Sequence, residues 1–225
     1  MEDNSIIQQF IKICHTMWQR GFVAANDGNL SARLPDGRIL CTPSGVSKGE
    51  ITEDMLLTVD AAGHVLTGTR RPSTELSMHL KCYAMRPDVA AVVHAHPPYS
   101  TAFAAANRAL DNYALIETIL MLGAVPVAPF AMPGTDEVAE SIAPFLPKHD
   151  AILLRAHGAI TMGSDLQTAY YRMESLEQFA KITLFANQIG GMQDLPESTI
   201  NDLIDRRTSF YHLTGKHPGY IKFNK

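Results

Sequence analysis

The alternation of apolar and polar positions predicts helices and strands along the whole chain. Between residues 5 and 20 the apolar positions recur at helical spacing, and Gly21 ends this predicted helix. Short alternating runs separated by turn residues come next and predict an antiparallel meander. The four strands of the meander are predicted at 30–34, 38–42, 55–59 and 64–66.

The rest of the chain interleaves strands and helices. Pro72 opens a helix that Arg86-Pro87 closes. The later strands are predicted at 89–93, 125–128, 151–154 and 160–162, and the later helices at 100–107, 136–145, 166–188 and 198–211. No repeat, linker or low-complexity segment divides the sequence. We therefore predict one α/β domain over residues 1–225, with a mainly antiparallel central sheet and helices on its faces.

Composition and charge narrow the classes of protein to which this chain can belong. Of its 225 residues, 46% are hydrophobic and 19% are charged, which is typical of an ordinary globular protein. A formal net charge of -4 offers no positive surface for nucleic acid or for an anionic membrane. No apolar run reaches the roughly 18 residues of a membrane-spanning helix. We predict neither kind of partner.

The three cysteines and the N-terminus indicate where the protein works. Cys14, Cys41 and Cys82 are widely spaced and form no C-x-x-C pair. They predict reduced, buried thiols rather than disulfides or a thiolate zinc site. Residues 1–9 lack a basic stretch followed by an apolar run, which is what an export signal requires. We predict a cytoplasmic protein.

Three histidines follow apolar runs that are predicted to be strands. His94 and His96 are two residues apart, a spacing that places both imidazoles on one face of a strand. His157 follows another apolar run and precedes Gly158. Three protein ligands and one open position are typical of a catalytic zinc ion. The alternative is that each histidine is satisfied separately by its own neighbours.

A glutamate and three donor-rich turns are further candidates. Glu75 lies near the start of a predicted helix, where the helix dipole favours an acid whether or not it is catalytic. Hydroxyl and amide groups that suit an anion such as phosphate occur at Ser73 and Thr74, in 26–29 and in 42–45. Each turn alone is an ordinary turn signal.

The motifs of this sequence point to one family. Glycine-rich and nucleophile motifs of dinucleotide-binding proteins, nucleoside-triphosphatases and serine hydrolases are absent. The motifs that are present together resemble those of the class II aldolase and adducin-head family, in that family's order and at similar spacing. They are Gly28-Asn29-Leu30-Ser31, Thr42-Pro43-Ser44-Gly45, Pro72-Ser73-Thr74-Glu75, Val92-Val93-His94-Ala95-His96, Pro133-Gly134-Thr135 and His157-Gly158.

The resemblance implies a role for each matching residue. His94, His96 and His157 would bind one zinc ion per subunit, and Glu75 would act as the acid/base. The residues implied in binding the substrate's phosphate are Gly28, Asn29, Ser44, Gly45, Ser73 and Thr74. The resemblance also implies a three-layer α/β/α sandwich and a homotetramer whose active sites lie between subunits.

Two catalytic tyrosines are also implied by the resemblance. Tyr113 follows the H-x-H motif and is the nearest candidate for one of them, although Leu115 is the residue in the aligned position. Tyr211, in the C-terminal part of the chain, is the candidate for the other and would reach a neighbouring subunit. Glu117 is an alternative for the second acid/base.

The implied reaction is cleavage of a ketose 1-phosphate, such as L-fuculose 1-phosphate or a 5-deoxyketopentose 1-phosphate, to dihydroxyacetone phosphate and a short aldehyde. Sugar-phosphate 4-epimerases, a dehydratase and a decarboxylase of the same family remain alternatives. The epimerases typically have aspartate in place of Glu75, and the decarboxylase typically has lysine in place of Thr74. A non-enzymatic adducin-like module would lack the metal ligands, whereas this chain has three histidines.

Overall fold

The structure, a computed structural model, describes residues 2–223, and the side chains of residues 4–223. The predicted domain ends at 1 and 225 lie outside the described residues. The strands are β1 (Asn29–Arg33), β2 (Ile39–Cys41), β3 (Leu57–Val59), β4 (Val65–Thr67), β5 (Ala91–Ala95), β6 (Val127–Ala128), β7 (Ala151–Leu154) and β8 (Gly158–Gly163). The helices are α1 (Glu2–Gln19), α2 (Leu76–Met85), α3 (Pro98–Ala105), α4 (Ile116–Met121), α5 (Asp136–Ile142), α6 (Leu166–Gln188) and α7 (Glu197–Ser209).

The eight strands form one sheet in the order β4-β3-β2-β1-β5-β8-β7-β6. The first four strands pair with their neighbours in sequence, so the predicted antiparallel meander is present. The edge pair of β6 and β7 is parallel, and the sheet is therefore mixed. The prediction of a mainly antiparallel sheet needs this correction. Helix α5 connects β6 to β7 and returns the chain to the same end of the sheet, which gives parallel neighbours.

Alternate residues of the sheet belong to two different apolar clusters. In β5, Val93 packs in a cluster that includes residues of α1, α3 and α6. Its neighbour Val92 packs in a cluster that includes residues of α2 and α5. Because successive side chains of a strand point to opposite faces, each face of the sheet has its own apolar cluster.

Two differences from the predicted elements affect the candidate site. The helix predicted from Pro72 begins at Leu76 with Glu75 as its N-cap, so Ser73 and Thr74 lie in the turn before it. Strand β5 extends to Ala95 and places His94 inside the strand. Proline is accepted at a helix start and disfavours helical backbone in the residue before it, so Pro72 predicts a helix that begins at that position. The helix begins four residues later, at Leu76.

Helix α4 was not predicted. It is only six residues long, and a single turn and a half of helix gives too few apolar repeats for a periodic pattern. The cysteines, by contrast, agree with the prediction, because Cys14, Cys41 and Cys82 are all unpaired and buried. Within the part of the chain that the structure describes, no helix is both long enough and apolar enough to cross a bilayer.

Candidate metal and anion site

The three predicted histidines converge at one end of the sheet. His94 lies in β5, His96 follows the strand directly, and His157 lies in the turn between β7 and β8. Since β5 pairs with β8, this turn comes to the end of β5. The Nε2 atoms of His94 and His96 are 3.2 Å apart, and ligand atoms of all three histidines lie within 4.8 Å of one another.

Two glycines allow the backbone segments to approach at the histidines. A Cβ atom on Gly158 would lie 2.5 Å from the carbonyl oxygen of Ala95 and 2.5 Å from the Cδ2 of His96. A Cβ atom on Gly28 would lie 2.8 Å from the carbonyl oxygen of His94. Gly28 therefore contributes to the site through close packing, since any side chain there would displace the strand that carries His94.

Hydrogen bonds and charges fix the orientation of the histidine rings. The Nδ1 of His94 lies 2.9 Å from the carbonyl oxygen of Ala159, which can only accept, so Nδ1 carries a hydrogen and Nε2 is the atom that faces the other two histidines. The Nδ1 of His96 lies 3.4 Å from a carboxylate oxygen of Asp27. Carbonyl and carboxylate groups behind imidazoles are the usual outer partners of histidines that bind metal ions.

The carboxylate of Glu75 faces the same three histidines. Its Oε2 lies 3.3 Å from the Nε2 of His94 and its Oε1 lies 3.1 Å from the Nε2 of His157. Asn29 donates a hydrogen bond from its Nδ2 to Oε2, at 2.9 Å. Although Glu75 is the N-cap of α2, its side chain makes no capping hydrogen bond. Its orientation is therefore not explained by stabilisation of the helix start.

The pKa of Glu75 reflects two opposing effects. Burial by itself raises the pKa of this carboxyl, because desolvation disfavours the charged form. Attraction to His94 and His157 acts in the opposite direction and is stronger, so the pKa of Glu75 lies well below its ordinary value. Glu75 is therefore a carboxylate at neutral pH.

These residues fit a tetrahedral metal ion. Around an ion with bonds of about 2.0–2.1 Å, neighbouring ligand atoms of a tetrahedron are about 3.3–3.4 Å apart. The Nε2 of His94 lies 3.2 Å from the Nε2 of His96 and 3.3 Å from the Oε2 of Glu75, which is close to such an edge, and the Nε2 of His157 lies 3.1 Å from the other carboxylate oxygen of Glu75, Oε1. Imidazole nitrogens with a carboxylate oxygen are also a donor set that suits zinc.

A polar cavity of about 200 Å³ opens beside the histidines and brings the three donor-rich turns together. It is lined by Asn26, Asp27, Gly28, Asn29, Pro43, Ser44, Gly45, Lys48, Ser73, Thr74, Glu75, His96 and His157. All six residues that the resemblance implies in phosphate binding are in this set. The structure thus places neutral hydrogen-bond donors around one cavity together with His96 and His157.

Local contacts hold the turns of the cavity against each other. Asn29 donates from its Nδ2 to the hydroxyl of Ser73 at 3.1 Å, and the amide of Ser44 donates to the carbonyl of Arg71 at 2.8 Å. Gly45 has a φ of 73° and an added Cβ would meet nothing within 4 Å. Its backbone conformation, rather than lack of space, therefore favours glycine at this turn.

Two charged residues of this cavity were missed by the sequence analysis. Asp27 faces His96, and Lys48 is 1% exposed although lysine is rarely buried. Asp27 lies in the turn 26–29, which the sequence indicates only as a candidate for anion binding. Its contact with His96 joins residues that are far apart in the sequence, so no local pattern indicates it. Nothing local in the sequence distinguishes Lys48 from an exposed lysine beside a turn.

The position of Tyr113 does not support the predicted catalytic role. Tyr113 is 1% exposed and is absent from the residues that line the cavity. Its hydroxyl lies 3.0 Å from the carbonyl of Gly219 and accepts from the amide of Ile221 at 2.9 Å. Burial raises the pKa of Tyr113 to about 12. The hydroxyl therefore remains protonated and is engaged with the C-terminal strap, by which we mean residues 213–223.

The other two acid/base candidates also lie away from this cavity. Tyr211 is 39% exposed, follows α7 and has its ring 5.0 Å from that of Phe210. Glu117 is exposed and lines a different cavity of about 670 Å³, together with Tyr99. A contribution of Tyr211 to the site of a neighbouring subunit stays a prediction.

Comparison with known proteins gives a consistent result. The family model described as Class II Aldolase and Adducin N-terminal domain matches residues 8–184. A protein of Methanococcus vannielii named L-fuculose phosphate aldolase is 36% identical over 176 residues, which are 78% of this chain and 94% of that protein. A protein of Escherichia coli K12 named 3-oxo-tetronate 4-phosphate decarboxylase is 35% identical over 185 residues, which are 80% and 86% of the two chains. A solved structure named L-fuculose 1-phosphate aldolase has a TM-score of 0.83 at 31% identity and covers 90% of this chain and 95% of its own.

Proposed function

The chain belongs to the class II aldolase and adducin family, and on this premise we propose that it is a zinc-dependent aldolase. Its substrate would be a ketose 1-phosphate, and its products dihydroxyacetone phosphate and a short aldehyde. One observation carries the proposal. Ligand atoms of His94, His96 and His157 lie within 4.8 Å of one another, and the Glu75 carboxylate faces them beside a cavity rich in hydrogen-bond donors.

The three histidines and Glu75 have different tasks in the proposed reaction. Zinc held by His94, His96 and His157 would supply a Lewis acid for the carbonyl and adjacent hydroxyl oxygens of the substrate. When the carbon–carbon bond breaks, its electron pair remains on the ketone-bearing fragment. The hydroxyl group that becomes the aldehyde gives up its proton to the Glu75 carboxylate, and Glu75 returns this proton to the carbon of the ketone-bearing fragment that has lost its partner. The hydrogen bond that Asn29 donates to Glu75 holds the carboxylate in this position.

The donors of the cavity would bind the phosphate at the other end of the substrate. Asn29, Ser44, Gly45, Ser73 and Thr74 line the cavity that extends from the histidines. Binding energy from this remote group holds the reacting carbons in place, because the phosphate takes no part in bond cleavage. The positions of these residues support the phosphate-binding role that the family motifs imply.

A decarboxylase is the second candidate, because a relative with that name is 35% identical to this chain. Epimerase and dehydratase activities of the family are further alternatives. Threonine at position 74, where the decarboxylases typically have lysine, supports the aldolase. Breaking a carbon–carbon bond next to a carbonyl requires the same stabilisation of negative charge in both reactions, so the site alone fits either.

The finer features of the protein belong to the same proposal. We propose a homotetramer in which Tyr211 reaches a neighbouring site, and one domain arranged in three layers, for which the two apolar clusters give support. We also propose a cytoplasmic location, since all three cysteines are unpaired and such thiols fit a reducing compartment.

A metal analysis and a substrate screen test this function. Purified protein is expected to contain about one zinc ion per chain. It should release dihydroxyacetone phosphate from at least one ketose 1-phosphate, L-fuculose 1-phosphate being tested first. Carbon dioxide released from 3-oxo-tetronate 4-phosphate, without cleavage of any ketose 1-phosphate, would reassign the protein as a decarboxylase. Absence of bound metal together with full activity would contradict the proposed site.

A further inference from the structure

A buried lysine forms part of the cavity wall and is not one of the residues that the family motifs supply. Lys48 begins a short 3-10 turn, Lys48–Glu50, and lines the same cavity as Gly45, Ser73 and His96. Only 1% of its surface is exposed. Taking an ammonium group out of water costs several kcal/mol unless a negative charge compensates for it.

The partners of the Lys48 ammonium group are neutral. Its Nζ donates to the carbonyl oxygens of Asn26, at 3.0 Å, and Val46, at 2.7 Å. Among the described residues, no carboxylate oxygen lies within 4.0 Å of Nζ. An ammonium group has three donors, and two carbonyls leave one donor for a further acceptor. Burial lowers the pKa of Lys48, and the attraction of more distant acids, Asp27 and Glu75 among them, opposes this only in part.

The position of Lys48 is fixed by contacts on the opposite side of its turn. Ser47 caps the turn by accepting from the amide of Gly49 at 3.3 Å. A Cβ atom on Gly49 would lie 2.6 Å from the indole ring of Trp18 in α1, so the turn packs directly on that ring. His15, also in α1, contacts the carbonyl of Ile51 at 2.9 Å. These contacts hold the lysine in the cavity wall rather than leaving it free to turn outward.

The charges around the cavity are otherwise unfavourable for an anion. Asp27 and Glu75 both line it, and each carboxylate would repel a phosphate group. Lys48 is the single lysine or arginine among the residues that line the cavity in the described chain. The donors that the family motifs supply, such as Asn29 and Ser73, carry no charge.

We propose that Lys48 supplies the positive charge of the anion site and stabilises the phosphate of the substrate. The phosphate in turn compensates for the cost of burying the lysine, so each charge makes the other tolerable. This inference rests on the proposed function, because it takes the bound anion to be the phosphate of a sugar phosphate. Lys48 is therefore a binding residue that discriminates phosphorylated from unphosphorylated ligands.

Calorimetry with a pair of ligands tests the proposal on the metal-loaded protein. Lys48→Met removes the charge and keeps an unbranched side chain of similar length. We expect it to raise the Kd of dihydroxyacetone phosphate by about 10–100-fold, the range of a lost charge-assisted hydrogen bond. The Kd of unphosphorylated dihydroxyacetone should change by less than about twofold. Lys12→Met, which removes an exposed lysine from α1, is the matched control and should alter neither value.

Equal weakening of both ligands by Lys48→Met would overturn the proposal, because Lys48 would then only connect the loops at Asn26 and Val46. If this variant does not fold, Lys48→Arg keeps the charge and should hold the Kd of dihydroxyacetone phosphate within about fivefold. A crystal structure of the unmodified protein with inorganic phosphate gives a direct measurement. We expect phosphate within about 6 Å of Nζ, the range over which an opposite charge acts strongly, and phosphate bound elsewhere would contradict the proposal.

The test also separates this inference from the proposed activity. If the protein binds dihydroxyacetone phosphate in a manner that depends on Lys48 but cleaves no ketose 1-phosphate, the role of Lys48 stands and the aldolase assignment is wrong. If the protein cleaves ketose 1-phosphates and Lys48→Met leaves KM unchanged, the aldolase assignment stands and the role of Lys48 is wrong.

Discussion

Two clusters of charged or ionisable side chains, the histidine site and a cluster around Asp150, differ in how their groups are paired. The two carboxylate oxygens of Asp150 lie 2.7 Å from Arg86 and 2.9 Å from Arg172, and all three side chains are at most 3% exposed. The amide of Lys216 donates to the same carboxylate at 2.8 Å. At the histidine site, by contrast, ring nitrogens of like kind point toward one another beside a cavity.

This difference separates a structural cluster from a candidate catalytic one. Around Asp150 every charge meets an opposite charge or a backbone group, and Arg172 also donates to the carbonyl of Thr214 at 2.6 Å. The cluster therefore fastens the C-terminal strap to the sheet. At the histidine site, ring nitrogens face other ring nitrogens rather than a group of opposite charge, and they are positioned to bind a common ligand. Burial and convergence of charges are common to both clusters, whereas the carboxylate of Asp150 is neutralised by two arginines and the histidine site has no arginine or lysine ion pair among the described residues.

Of the changes considered, removal of a histidine should have the largest effect on bound zinc and on turnover. His94→Ala deletes one of three proposed protein ligands, and we expect bound zinc and turnover to fall to near background. Metal analysis after dialysis and an assay of aldol cleavage measure the two effects. His64→Ala removes an exposed histidine and should leave both unchanged. A variant that retains stoichiometric zinc without His94 would contradict the assignment.

Glu75→Gln tests the acid/base within the histidine site. Glutamine keeps the size of the side chain but cannot accept a proton, so turnover should fall by about 10²–10⁴-fold while zinc stays bound. The matched control is Glu197→Gln, because Glu197 is an acid in the first turn of α7. A helix-start acid contributes only about 0.3–1 kcal/mol to stability. Near-normal turnover of Glu75→Gln with zinc present would defeat the proposed mechanism.

The Asp150 cluster should respond in stability and not in chemistry. Asp150→Ala leaves Arg86 and Arg172 buried without their carboxylate, which typically costs about 3–5 kcal/mol of unfolding free energy. Urea denaturation measures this loss, and turnover per folded molecule should change by less than about threefold. Asp202→Ala, at an exposed position of α7, is the control. A loss below about 1 kcal/mol would show that the two arginines find other partners.

Tyr113→Phe should have the smallest effect, a local loss of stability where Tyr113 contacts the C-terminal strap. The variant loses the hydroxyl that contacts Gly219 and Ile221, which leaves a backbone amide without its acceptor and costs about 1–3 kcal/mol. Hydrogen exchange of the Ile221 amide measures the local change. Tyr171→Phe, on an exposed face of α6, is the control. A turnover loss of 100-fold or more at unchanged stability would instead support the predicted catalytic role of Tyr113.

The sequence predicted most of the fold because its signals are local. Helix α6 was predicted with both of its ends, where Asp165 accepts from the amide of Thr168 as an N-cap. The meander was predicted from alternation and turn residues. The parallel pairing of β6 with β7 was not, since strand direction depends on the path of the intervening chain and not on either strand's own residues.

The sequence by itself determined the candidate ligands, because two histidines separated by one residue at the end of an extended run favour the same side of the chain. It also determined the family, through motifs whose order is fixed along the chain. Only the tertiary structure decided which polar residues are partners: Arg86 contacts Asp150 across 64 positions, and Tyr113 contacts Gly219 across 106. It likewise decided that Lys48 is buried. Burial and charge pairing arise from packing between distant segments, and a local pattern of residue types contains no record of that packing.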